Sequence, residues 1–230
     1  MQLRFVLHRP RSSQNIGAAA RALANTSAGA LWVVEPLGFD RAQAAKLAAG
    51  ADEVLERMRV VRTLEEALGD CLDVVMTTGR PVPGALSAEE AARRLLSCPG
   101  ECALVFGDEV RGLPNRELRR AGAVATIPTA AKSSLNLAQA VMIFGYEILK
   151  ARGTAAMAET SAQPLADERL VGLLREKARA LLLASGFLNP QQPDLVLEEI
   201  LSLLRRGRPT RREIELLLAA VAQLERTRIR

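Results

Sequence analysis

Ala103-Leu104-Val105-Phe106-Gly107-Asp108-Glu109-Val110-Arg111-Gly112-Leu113 reads as a buried strand that runs straight into a polar, glycine-bearing loop. Four consecutive apolar residues with no alternating polar face indicate a strand covered on both sides. Gly107 follows it directly, at the end of the strand where parallel sheets bind ligands. The same grammar repeats on both sides. Leu3–Leu7, Leu31–Val34, Met58–Val61, Leu72–Thr77 and Val124–Ile127 read as strands. Helical patterns fall between them: Ile16–Asn25 capped by Asn15, a segment around Arg41–Ala48, Leu64–Leu68 and Ala88–Leu96. A long helix, Leu135–Ala151, closes the series with apolar Leu137, Val141, Phe144 and Ile148. Apolar strands alternating with helices predict an α/β fold with a parallel sheet covered on both faces.

Residues 153–165 read as a linker. Beyond it the pattern is helical only: Asp167–Ser185, Asp194–Arg205 and Arg211–Arg228, the last preceded by a Thr210/Glu213 capping box. The expected organisation is an α/β domain over 1–152 and a small all-α C-terminal domain over 166–230.

At 230 residues the chain can bury a sizeable core. With one Trp, one Tyr and five Phe, a single-strand-binding surface built on aromatic stacking is disfavoured. The formal charge of +5 permits an anionic partner without demanding one. Clustering says more: Arg205, Arg206, Arg208, Arg211 and Arg212 crowd a turn containing Gly207 and Pro209, and Arg9 and Arg11 flank Pro10. A merely solvated surface accounts for such charge equally well. Three cysteines (Cys71, Cys98, Cys102), with no metal-ligand spacing, favour a reduced, cytoplasmic setting. Cys98 and Cys102 would face one another only by chance. No signal-peptide pattern opens the sequence and no apolar run reaches membrane-spanning length. The lone His8 reads as a loop or strand-end residue, and no metal site is expected. A dinucleotide fingerprint, a Walker A loop and a nucleophile elbow are all missing from their required positions.

Three polar clusters stand at predicted strand–loop–helix boundaries: Asn15-Ile16-Gly17-Ala18-Ala19-Ala20-Arg21, Phe106–Leu113, and Ser133-Ser134-Leu135-Asn136-Leu137-Ala138-Gln139-Ala140-Val141. Each has a structural reading. Asn15 and Ser134 can cap helices, Gly17 can allow close packing, Glu109 can sit at a helix entry, and Gly112 can make a turn. Three in succession point to one composite site.

The three clusters resemble motifs one, two and three of the SPOUT (SpoU–TrmD) RNA methyltransferases of the ribose 2′-O type. The helical tail, with Leu183–Leu188 and Leu204–Pro209, resembles the C-terminal extension of the TrmJ subfamily, and the similarity covers essentially the whole chain. It implies a sheet whose C-terminal part is threaded into a deep trefoil knot, a feature otherwise very rare. It further implies S-adenosylmethionine as cofactor, tRNA as partner with methylation at cytidine or uridine 32, and a homodimer packed through Leu135–Ala151 and Ile16–Asn25. Carried over by motif, Thr77, Thr78, Gly79, Gly107, Ile127, Ser133, Ser134 and Leu135 hold the cofactor. Arg21 is the catalytic arginine, oriented with the RNA by Asn15, Glu109, Ser134 and Asn136. Arg9, Arg11 and the five arginines of the tail contact RNA. A guanidinium stays protonated in proteins, so Arg21 is expected to clamp a phosphate and position the 2′-oxygen, while a phosphate oxygen or water takes the proton. The loop Ile127–Lys132 departs from the subfamily: it is shorter, lacks an Asn-Pro and a Tyr, and places Lys132 before the serines. Methylation of ribosomal RNA, or RNA binding without catalysis, are the rival readings.

Overall fold

A computed structural model describes residues 3–130, 135–154 and 164–228. Six parallel strands form one sheet: β1 (Leu3–His8), β2 (Ala30–Val34), β3 (Arg59–Val61), β4 (Asp73–Thr77), β5 (Cys102–Phe106) and β6 (Ala123–Ala125), in the order β3-β2-β1-β5-β4-β6. The chain leaves β1 toward β2 on one side, whereas β5 leads on to β6 on the other. The gap between β1 and β5 is therefore a topological switch point, where the loops beyond the strand ends part and leave a crevice.

The sheet's two faces are covered unequally. On one side pack α1 (Ser13–Thr26), α2 (Arg41–Leu47), α3 (Asp52–Glu56), α5 (Ala88–Leu96) and α7 (Leu137–Thr154), over a core of Phe5, Leu7, Leu104, Phe106 and Phe144. On the other pack α4 (Leu64–Leu68) and α6 (Asn115–Arg119), over Val6, Trp32, Val74, Met76 and Val105. Alternate residues of each strand feed the two cores, which is why the strands read as continuously apolar. The predicted elements are present, with two short additions, α3 and α6. The helix α7 runs to Thr154, two residues into the expected linker.

One local detail differs from expectation. Ser12, not Asn15, caps α1: its hydroxyl accepts the Asn15 N–H at 3.3 Å, and the helix begins at Ser13. Cys98 and Cys102 are both buried in the larger core, their thiols directed at the carbonyls of Glu101 (3.9 Å) and Leu95 (3.6 Å).

Glycine placement decides how closely α1 packs. A Cβ on Gly17 would overlap the backbone carbonyl of Ala44 in α2, and one on Gly145 would press on Thr26 at 2.7 Å. These positions let α2 and α7 lie tight against α1.

The tail is three helices: α8 (Glu168–Ala184), α9 (Pro193–Arg206) and α10 (Arg211–Arg228). They share a core of Val171, Leu174, Leu188, Leu197, Leu201 and Ile214. The capping box forms, with the Glu213 N–H donating to Thr210 Oγ1 at 3.2 Å and the Thr210 N–H donating to Glu213 Oε2 at 2.6 Å. The tail is stitched to the sheet side by backbone bonds from Glu168 N–H to Cys71 O (3.1 Å) and from Arg169 N–H to Gly69 O (3.1 Å).

Candidate active site

The three sequence clusters meet at the switch point. Asn15, one turn into α1, donates Nδ2 to Glu109 Oε1 at 2.9 Å. Its own Oδ1 accepts from Asn136 Nδ2 at 2.9 Å. Glu109 also accepts the backbone N–H of Arg11 at 2.8 Å and of Ser12 at 3.1 Å. One carboxylate thus ties the loop after β5 to the loop after β1, and one carboxamide passes the tie to the start of α7. Asn136 in turn caps α7 by accepting the Ala138 N–H at 2.9 Å. With Ser12 as the cap of α1, Asn15 is free to serve this relay.

The loop between β5 and α6 is held in shape from within. Asp108 Oδ1 accepts the N–H groups of Val110 and Arg111, each at 2.7 Å, and lies 3.4 Å from Arg11 Nε. Burial pushes the Asp108 carboxyl up, but the Arg111 and Val110 amides and the Arg11 guanidinium outweigh it and hold it below the usual carboxylate range. The chain turns back at Gly112, whose φ of 66° favours glycine. A Cβ on Gly107 would overlap Gly112 and Leu113, so the fold of this loop already requires glycine there.

Beside the relay lies a cavity of about 290 Å³. Its walls are the loop after β4 (Thr77, Thr78, Gly79, Arg80), the loop after β5 (Gly107 to Gly112), Ile127, Leu135, and an apolar floor that includes Phe106, Leu137 and Phe144. Of the expected cofactor residues, Thr77, Thr78, Gly79, Gly107, Ile127 and Leu135 all line it. Ser133 and Ser134 lie outside the described residues. Ile127 falls beyond β6, in the loop, and that places it on the cavity. Sequence reasoning missed Arg80, whose Nη2 donates to Leu113 O at 2.9 Å and so bridges two cavity walls. A cation directly after the Thr-Thr-Gly loop was the available signal.

Arg21 is placed differently. It follows Asn15 by six residues, and at about 100° per residue it points to another side of α1. It is exposed, has no partner among the described residues, and does not line the cavity. It shares the outer stripe of α1 with Gln14, Ala18 and Asn25. Arg9 and Arg11 are exposed near the rim, loosely paired with Glu35 and Asp108 at 3.3 and 3.4 Å. His8 ends β1, buried on the α6 side. Burial lowers its pKa, while Glu117 and Glu35 pull it up and Arg9 and Arg116 push it down.

The tail arginines divide. Arg206, Arg211 and Arg212 are exposed, and Arg211 pairs with Glu215 at 2.9 Å. Arg205 is 4% exposed, set against Glu168 at 3.3 Å and Glu198 at 3.5 Å. Arg208 is half-buried and directed toward Asp73 at 3.3 Å. The expectation that all five present charge to RNA is corrected for these two: carboxylates inside the protein claim them. A larger cavity, about 380 Å³, lies beneath α8 against α4 and α6. Of its arginines, Arg120, Arg175 and Arg205 are paired with carboxylates, and none of the three clusters reaches it, so the smaller cavity is the candidate site. Among the described residues no group of three or more His, Cys, Asp or Glu is placed to hold a metal, and no helix is long and apolar enough to cross a membrane.

Residues 2–146 match the SpoU rRNA Methylase family. The chain belongs to that family. Over 97% of its length it is 36% identical to the tRNA (cytidine/uridine-2′-O-)-methyltransferase TrmJ of Salmonella typhimurium, covering 96% of that protein. The crystal structure of TrmJ from Z. mobilis ZM4 superposes with a TM-score of 0.85 at 30% identity, covering 98% of this chain and all of that one. Full-length likeness of this kind places the chain in the TrmJ subfamily. A structure described as giving insight into 2-OH methylation of C/U34 on tRNA matches 66% of the chain and 97% of its own length, at TM-score 0.56 and 29% identity.

Proposed function

We propose that this protein is an S-adenosylmethionine-dependent tRNA ribose 2′-O-methyltransferase. The observation that carries the reading is the Asn136–Asn15–Glu109 relay, which joins the three motif clusters at the rim of the cavity. The cavity suits the cofactor chemically. Small residues and glycines expose backbone groups on one wall, and Phe106, Leu137 and Phe144 offer an apolar floor for a purine ring. When bound, S-adenosylmethionine supplies a methyl group on a sulfonium centre. The protein's own task is then alignment of the ribose oxygen and handling of its proton.

Glu109 fixes the β1–α1 and β5–α6 loops relative to each other, and Asn15 and Asn136 carry that order to α7. Ser133 and Ser134 belong to the cofactor-binding set in this reading. Arg21 clamps an RNA phosphate with its planar fork and positions the 2′-hydroxyl, with a phosphate oxygen or water accepting the proton. Its exposed stripe supports a homodimer through α1 and α7, whose outer faces lie side by side and include Tyr146 and Leu149, 54% and 44% exposed. A homodimer of that kind brings Arg21 against the partner copy. The trefoil knot belongs to the same proposal, with the chain after β6 as the threaded segment. The return of α7 between α1 and α5 supports it.

The RNA-facing arginines in this reading are Arg9, Arg11, Arg206, Arg211 and Arg212. The nucleotide is cytidine or uridine 32, a choice that rests on the TrmJ-like tail. The test is transfer of labelled methyl from S-adenosylmethionine to unmodified tRNA, with the product mapped. Label on the 2′-oxygen of nucleotide 32 is expected. Label at 34 overturns the position alone; label on ribosomal RNA and not tRNA overturns the substrate; no transfer to either overturns the activity.

A further inference from the structure

The tail meets the sheet through a buried ion cluster that the RNA reading leaves unexplained. Asp73 opens β4 with its side chain 1% exposed. Arg94 of α5 grips it with a two-pronged fork, Nε to Oδ2 and Nη2 to Oδ1, both at 2.9 Å. Arg208, in the turn between α9 and α10, brings a second guanidinium to the same carboxylate, with Nε 3.3 Å from Oδ2. The two arginines also exchange helix ends. Arg208 Nη1 donates to Ser97 Oγ at 2.9 Å and to Arg94 O at 3.5 Å, at the end of α5. Arg94 Nη2 donates to Arg205 O at 3.5 Å, at the end of α9.

Charge explains why two cations share one buried anion. A helix C-terminus carries roughly half a negative charge. Two converging C-termini and one aspartate therefore balance two guanidiniums. Arg208 also holds a φ of 51°, a left-handed conformation that costs a non-glycine residue energy and persists only where its surroundings impose it. Its buried Nε and Nη2 make no hydrogen bond among the described residues, so ion attraction to Asp73 holds that end of the side chain.

We propose that Arg208 is a positioning residue for the substrate, locking the tail to β4 and α5 so that RNA held by the tail meets the cavity at one fixed distance. This rests on the RNA methyltransferase reading. β4 connects the lock to the site. Asp73 stands at one end and Thr77 lines the cavity at the other, four residues on or about 13 Å away. Arg206, Arg211 and Arg212, the exposed cations beside the turn, keep a fixed place only while that turn is anchored.

The experiment compares the full-length protein with Arg208→Ala, Arg208→Lys and Ser97→Ala. Three readouts are taken: S-adenosylmethionine affinity by calorimetry, hydrogen exchange across 69–77, 92–98 and 164–212, and methyl transfer to unmodified tRNA with every modified nucleotide mapped. For Arg208→Ala, cofactor affinity should stay at the wild-type value and exchange should quicken at the end of α5 and the start of α8. The KM for tRNA should rise about tenfold, the scale of one lost charge-assisted hydrogen bond, and methyl should appear at additional nucleotides. Arg208→Lys, which keeps charge without the fork, should fall between. Ser97→Ala, which removes a single bond, should shift the same readouts less, and it carries the test if Arg208→Ala fails to fold. Faster exchange with unchanged KM and a single modified nucleotide overturns the positioning role. Unchanged exchange overturns the lock. A wild-type protein that methylates no RNA overturns the functional reading instead.

Discussion

Arg21 and Arg205 both sit on helices, among apolar neighbours, in segments that look equally able to meet RNA. Arg21 is exposed and has no partner among the described residues, whereas Arg205 is 4% exposed between Glu168 and Glu198. The contrast extends to their surroundings. Beyond the carboxyl ends of the central strands, Arg9 and Arg11 are more than 40% exposed and touch their acidic neighbours only loosely, at 3.3 and 3.4 Å. Under the tail, Arg94 and Arg208 converge on an aspartate that is 1% exposed. A guanidinium left in solvent keeps its charge for a ligand. A guanidinium matched by buried carboxylates has spent its charge on the fold, and removing it leaves those carboxylates exposed to the full desolvation penalty.

The largest effect expected from this contrast is on stability. Arg205→Ala leaves Glu168 without its cation and Glu198 with Arg175 alone, and breaking a buried pair in this way costs about 3–5 kcal/mol. Urea denaturation of the variant should show the midpoint falling sharply. A midpoint within experimental scatter of wild type would mean that Arg205 is available to RNA after all.

Next comes Arg21. Loss of a group that aligns reactants costs on the order of a hundredfold in rate, so Arg21→Ala should cut methyl transfer by that scale while cofactor affinity and the urea midpoint stay put. Arg21→Lys retains charge but not the planar fork. Near-full turnover by the lysine variant with normal RNA affinity would defeat the bidentate clamp. Partial activity restored by mixing Arg21→Ala with Glu109→Ala protein would show that the two residues act from different copies of the chain.

Glu109→Gln tests what orders the loops at the switch point. The carboxylate accepts N–H groups from Arg11, Ser12 and Asn15. An amide keeps one acceptor but loses the charge that strengthens all three bonds. Activity should fall about tenfold, equivalent to one charge-assisted hydrogen bond, with little change in stability because the loops are near solvent. A large fall in the urea midpoint with unchanged turnover would reverse the assignment and make Glu109 a fold residue like Asp73.

How much of this was legible in the sequence depends on the range of the interactions involved. The sheet was readable because strands buried on both faces must be apolar throughout, as Cys102–Phe106 is. The helices α3 and α6 were missed because five residues are too few to show a helical period and neither has the side-chain cap that Thr63 gives the equally short α4. Asn15, Glu109 and Asn136 were singled out as polar residues at strand–loop–helix boundaries. The relay among them was not readable, since 94 residues separate Asn15 from Glu109 and 121 separate it from Asn136. The cap of α1 was misplaced because Ser12, Ser13 and Asn15 are all good caps and only the fold decides among them. The tail arginines were read by local density. Density cannot distinguish Arg205 from Arg206, because one helical position turns the first toward Glu168, 37 residues earlier, and the second toward solvent.

That pair gives the next test. Arg206→Ala removes an exposed charge and should leave stability unchanged. If the residue contacts a phosphate, the variant should weaken tRNA binding modestly and reduce the log–log salt slope by about 1. An unchanged slope would remove Arg206 from the RNA surface, and the exposed and buried arginines would then differ in burial but not in use.

The smallest effect concerns His8, which stands where the two regions meet: its backbone ends β1 at the rim, and its side chain is 8% exposed on the α6 side. Burial disfavours the charged imidazole. Arg9 and Arg116 add to that, Glu117 and Glu35 oppose it, and the net result is a pKa below the usual 6.5. A depressed folded pKa means that the unfolded chain takes up a proton near pH 6 which the folded protein refuses. Stability therefore declines as pH falls through 6.5 and levels off below the folded pKa. Glu168, deeply buried under the tail, works in the opposite sense. Burial raises its pKa against the pull of Arg205, so its contribution weakens stability as pH rises above the ordinary glutamate value. Urea midpoints at pH 7.5 and 5.5 isolate the imidazole: on acidification the wild-type protein should lose stability relative to His8→Asn, in which Glu168 is unchanged. An equal change with pH in the asparagine variant would show that the titration belongs elsewhere and that the imidazole at the end of β1 is open to water, on the ligand side of the comparison rather than the fold side.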